Sequence, residues 1–172
     1  MNRSNQADST DDSLARALLI EAFPGAKQRP DLTPPSHNDC VKLRPRLIAV
    51  APKDLPFYLR AVLLDLLETR TDTPDGLQDA ETVVQYLAAT ESSLDESSLS
   101  GHLLPEDFSK HRQDDQLLLA EKLQDFERFT KCQAEAVCHW LRVARKWPDL
   151  DSYSEDIERA LAFWQTKAGT KF

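Results

Sequence analysis

Glycine is scarce in this 172-residue chain: it holds four, Gly25, Gly76, Gly101 and Gly169, each far from the next. No Gly-rich phosphate cradle of the P-loop or dinucleotide-binding type can be written with that spacing, which excludes the nucleotide chemistry such loops support. Long apolar runs are missing as well. The longest are a few residues, far short of the roughly 20 that a membrane helix needs. Met1 to Ser13 is polar and acidic with no apolar centre, so it does not read as a secretory signal. β-Branched aliphatic residues are few, with 7 Val and 3 Ile against 25 Leu. Leucine suits helices and β-branched side chains suit strands, so this shortage leans the fold toward α. Cysteine is limited to Cys40, Cys132 and Cys138, an odd number that builds no disulfide framework. Free thiols point to a reducing compartment, and the expected location is cytoplasmic. Positive charge is also short: 21 Lys+Arg stand against 29 Asp+Glu, a net charge of −8. That balance argues against nucleic-acid or anionic-membrane binding, which needs clustered Lys and Arg.

What is present is helical periodicity. Residues 1–12 read as a disordered polar tail, followed by one helical domain over 13–168 and a short C-terminal tail at 169–172. The first helix is expected from about Ser13 to Phe23, with Leu14, Ala17, Leu18 and Ala22 as its stripe and Pro24-Gly25 as its stop. Six prolines between Pro24 and Pro52 (24, 30, 34, 35, 45 and 52) predict an irregular segment, with Leu47–Val50 its only possible strand. Leu55, Tyr58, Leu59, Val62, Leu63, Leu66 and Leu67 recur with period 3.6 and predict a second helix. A third spans about Leu77 to Thr90, opened by a capping-box pair, Asp75 and Gln78. Residues 91–104, with the tandem Glu91-Ser-Ser-Leu94 and Glu96-Ser-Ser-Leu99, read as an acidic loop. Pro105 opens a helical region through Phe126. Thr130 and Gln133 cap a fifth helix to Trp147, and a sixth starts near Ser152 or Ser154 and ends before Gly169. On the fifth, the stripes around Trp140 and Ala134-Val137-Leu141 lie on two faces, which marks a helix that is central in the core or contributes to an interface. The expectation is an all-α domain of about six helices in a single bundle-like or orthogonal core.

Chemistry-bearing constellations are sparse. His37 and Cys40 have H-x-x-C spacing, and Cys132, Cys138 and His139 fall in the fifth helix. Adjacent helical residues point about 100° apart, so Cys138 and His139 cannot converge on one ion. His102 and His111 lie near serines and acids, but no G-x-S-x-G elbow fixes a nucleophile. No residue is assigned a catalytic, metal-binding or cofactor-binding role, and no cofactor is expected.

The charge distribution is the functional lead. Residues 1–71 hold 10 basic and 9 acidic groups, and 116–172 hold 9 of each. Residues 72–115 hold 2 basic groups against 11 acidic ones: Asp72, Asp75, Asp79, Glu81, Glu91, Asp95, Glu96, Glu106, Asp107, Asp114 and Asp115. These eleven form a candidate acidic surface for a basic protein partner, since complementary potential speeds and orients association.

In order, Ala22-Phe23 with its proline-rich sequel, His37-x-x-Cys40, Phe57-Tyr58-Leu59, Phe129-Thr130-x-x-Gln133, Ala136-Val137 and Leu141 form a pattern. It resembles an uncharacterised family of small acidic all-α bacterial domains. The chain departs from that family at Arg60, where the pattern has Pro. The resemblance implies a helical fold and a bacterial origin. Small acidic bacterial domains without catalytic motifs include toxin-neutralising immunity proteins and accessory binding subunits. The expected function is therefore a non-enzymatic protein-binding module, most concretely an immunity protein that neutralises a bacterial toxin. The alternatives are an enzyme or metal-dependent protein with a Cys/His centre, and a structural subunit of a larger assembly.

Overall fold

The computed structural model describes residues 4–69, 75–88 and 122–169. Regular structure there is helical throughout, with no strand among the described residues. The helices are α1 (Ser4–Ala22), α2 (His37–Leu43), α3 (Leu55–Thr69), α4 (Asp75–Ala88), α5 (Lys131–Ala144) and α6 (Ser154–Ala168). Two 3-10 helices, Arg44–Ala49 and Pro148–Tyr153, precede α3 and α6, and residues 122–127 are also helical. The acidic loop expected at 91–104 and most of the helix expected from Pro105 lie outside the described residues.

Helix α5 is central, packing against both α1 and α6. Its start follows the sequence signal. The Thr130 hydroxyl accepts from the Gln133 backbone N–H at 3.2 Å, and the Gln133 side chain accepts from the Thr130 N–H at 2.9 Å. Such a box satisfies two of the donors that a helix N-terminus leaves open. Asp11 pairs with Lys146 just beyond one end of α5, and Phe23 meets Phe129 edge-on at 5.8 Å beside the other end. Helices α1 and α5 therefore run antiparallel. Two indoles bind the layers together: Trp140 Nε1 donates to the Leu63 carbonyl at 3.1 Å, and Trp164 Nε1 donates to the Leu87 carbonyl at 3.0 Å.

Three expectations need correction. Helix α1 begins at Ser4, well before Ser13. Once a helix is nucleated each added residue costs little, and Asp11 on this extension pairs with Lys146 at the surface. Its buried stripe is also rotated: Ala15, Leu19 and Phe23 are inside, whereas Leu14 is 46 % exposed and Ala17 is exposed. Phe23 carries the largest apolar surface on that segment, so seating it against Phe129 decides which face turns inward. In the proline-rich segment, His37–Leu43 is a helix and Leu47–Val50 is no strand. Ser36 and Asp39 form a capping box for α2. With no partner strand available, Val50 N–H bonds locally to the Leu47 carbonyl at 3.1 Å.

Elsewhere the apolar periodicity is borne out. The buried face of α3 is the predicted one, except that Phe57 takes the inward place given to Tyr58. Ala80, Val83, Val84 and Leu87 are buried on α4, as are Ile157, Ala160, Leu161 and Trp164 on α6. Gly169 ends α6 in the left-handed region at φ 69°, a conformation that costs a residue with a Cβ. A Cβ there would also meet Lys131 Nζ at 3.1 Å. That ammonium lies beside the carbonyl end of α6, where a cation is favoured.

Candidate functional site

The eleven acidic residues are only partly visible. Asp72, Glu91, Asp95, Glu96, Glu106, Asp107, Asp114 and Asp115 lie outside the described residues. Asp75 opens the backbone of α4, and Asp79 lies one turn further on. Glu81, also on α4, is half-buried. Its Oε2 accepts from the Tyr153 hydroxyl at 2.7 Å, tying α4 to the turn before α6. That bond also holds the Tyr153 hydroxyl above the ordinary tyrosine range. Glu81 thus has an intramolecular task that the other ten are not shown to share.

Among the described residues the Cys and His side chains do not assemble into a centre. Cys40 lies on α2 and Cys138 on α5, both buried, whereas Cys132 is exposed near the start of α5. Desolvation pushes the Cys40 and Cys138 thiols up to about 11, the opposite of an activated nucleophile. Burial lowers His139, with Arg142 adding to the effect. Among the described residues no group of three or more His, Cys, Asp or Glu is placed to hold a metal ion. His102 and His111 lie outside the described residues.

One polar cluster does form, around a residue to which sequence reading gives no role. Asp65 lies on α3, its carboxylate 10 % exposed. Its Oδ1 is 2.8 Å from His37 Nδ1, and its Oδ2 accepts from Arg44 Nη2 at 2.6 Å. His37 is the first residue of α2 and Arg44 its C-cap, so one carboxylate holds both ends of a seven-residue helix. Cys40 lies between them on the inward face at 2 % exposure. Arg44 is 1 % exposed, so this ion pair is desolvated on the arginine side. The signal for it is an acid inside the leucine run Leu63-Leu64-Asp65-Leu66-Leu67. A charge placed there needs a partner once the helix packs.

The His37–Asp65 pair resembles the base and orienting group of a catalytic triad, and among the described residues no nucleophile is bonded to His37. Its nearest thiol chemistry, Cys40, is held protonated. Charges elsewhere also satisfy one another. Arg29 bonds Asp31 at 2.7 Å and Asp54 at 2.6 Å, Arg16 bonds Glu68 at 2.6 Å, and Arg145 bonds Glu158 at 2.8 Å. No helix among the described residues is long and apolar enough to cross a membrane. No family model, curated protein or solved structure matches the chain.

Proposed function

We propose that this chain is a non-enzymatic protein-binding module that docks a basic protein through its acid-rich 72–115 stretch. Its most concrete form is a cytoplasmic immunity protein that neutralises a bacterial toxin. The observation that carries the reading is the concentration of charge: 11 acidic groups and 2 basic ones in 72–115, against near balance on either side. Intramolecular pairing of Arg16, Arg29, Arg44 and Arg145 adds to the contrast, because those cations are already matched by carboxylates outside the stretch. A run of like charge costs self-repulsion, and a basic surface relieves it. Three free cysteines fit a reducing compartment. The two thiols pushed up to about 11 weigh against the rival reading, an enzyme with a Cys/His centre.

The test is capture followed by neutralisation. The immobilised chain is expected to retain a basic protein from a bacterial lysate at low salt. A variant with Asp/Glu→Asn/Gln changes across 72–115, sparing Glu81 because it bonds Tyr153, is expected to release it. Equal retention by a folded variant would rule the acidic surface out.

A further inference from the structure

We infer that α2 is a discrete strap, closed over α3 by the two oxygens of Asp65 and able to open while the rest of the core stays folded. Three observations carry this.

The first is size. Seven residues are too few to be helical alone, so α2 exists only while it is docked. The second is how little apolar surface docks it. Cys40 is its only fully buried residue, with Leu43 partly buried beside it. By contrast, α5 buries nine residues, Trp140 and Leu141 among them. The third is the placement of the polar contacts. His37, Cys40 and Arg44 recur at i, i+3 and i+7, along one face of the helix. The outer two bond the same carboxylate, and the middle one is the thiol beneath. Pro34 and Pro35 before α2, and Pro45 after it, contribute no backbone donors to tie the flanking chain down. Segments held by few apolar contacts open at lower free energy than the core they rest on. Release of Asp65 therefore uncovers Cys40 and the α3 face beneath, with α5 undisturbed.

Thiol labelling reads this directly. In a Cys132→Ser background, the remaining thiols are Cys40 on the strap and Cys138 in the central helix. Iodoacetamide labelling of each is followed by peptide mass spectrometry over sub-denaturing urea, and each rate is divided by the same thiol's rate in the unfolded chain. Cys40 is expected to react faster than Cys138 by about tenfold or more, with a shallower urea dependence because less surface opens. Asp65→Asn is expected to speed Cys40 by a further factor of about a hundred or more, since it removes the negative charge that Asp65 sets against a desolvated guanidinium. His37→Ala removes only the exposed end of the contact, and a smaller acceleration of about threefold is expected. It serves as the comparison if Asp65→Asn does not fold. Equal rates and equal urea slopes for the two thiols would overturn the strap. A Cys40 rate that neither substitution changes would overturn the role of Asp65.

Discussion

Replacing Trp164 by alanine is expected to destabilise the fold by about 3–5 kcal/mol, the range for emptying a large aromatic site in a packed core. Trp164 is fully buried, and its ring meets Phe126 at 4.9 Å, Phe163 at 5.2 Å and Phe129 at 5.5 Å. Phe126 and Phe129 come from the segment before α5 and Phe163 from α6 itself, so collapse around the cavity would have to move both elements. The indole N–H also donates to the Leu87 carbonyl. Leu87 is the penultimate residue of α4, so its carbonyl is one of those the helix cannot satisfy internally. Trp164→Phe separates the two contributions. It keeps much of the apolar contact and drops the hydrogen bond, for an expected loss of about 1–3 kcal/mol. Urea unfolding followed by far-UV circular dichroism measures both. Domains typically have about 5–15 kcal/mol in hand, so the alanine variant is expected to be close to unfolding near body temperature. A loss below about 1 kcal/mol in the alanine variant would mean that α4 and α6 do not share this core.

Asp65→Asn is the second large effect, expected to cost about 3 kcal/mol or more in the same assay. The asparagine preserves shape and can still bond to both neighbours, so what is lost is the charge facing Arg44. A guanidinium at 1 % exposure cannot recover that loss from water. Replacing both partners with apolar residues, as in Arg44→Met with Asp65→Leu, is expected to recover much of the stability, because a buried pair can be exchanged for packing. If the double variant is no better than Asp65→Asn alone, desolvation of Arg44 is not the cause. By contrast, the exposed Arg16–Glu68 pair is expected to contribute at most about 1 kcal/mol.

These two sites also show what could be read without coordinates. The Trp164 stripe follows from i, i+3, i+4 spacing, and the Thr130–Gln133 box marks the start of α5 to the residue. Both are local patterns, and local patterns are what a sequence displays. The α1 stripe was legible only in part. Leu14, Leu18 and Leu19 offer two overlapping faces, and the choice between them belongs to Phe129, far along the chain. Helix α2 is concealed by its prolines, which signal irregularity although Ser36 and Asp39 cap a helix between them. Asp65 is concealed in another way. Its partners lie 21 and 28 residues earlier, and nothing in the composition connects them. Of the candidate acidic surface, the sequence supplies the charge. The structure adds that Glu81 is engaged with Tyr153 and belongs among the residues to leave intact.

Recognition of a basic protein by the acidic stretch is read from the salt dependence of the binding. Isothermal titration with the captured partner, between about 0.05 and 0.5 M salt, spans the range over which the Debye length falls from above 10 Å to below 5 Å. Affinity of the natural chain is expected to fall by about tenfold or more across that range. The variant neutralised across 72–115, with Glu81 kept, is expected to bind more weakly at low salt and to show a nearly flat dependence. A folded, neutralised variant that binds as tightly as the natural chain at about 0.05 M salt would show that 72–115 is not the contact surface.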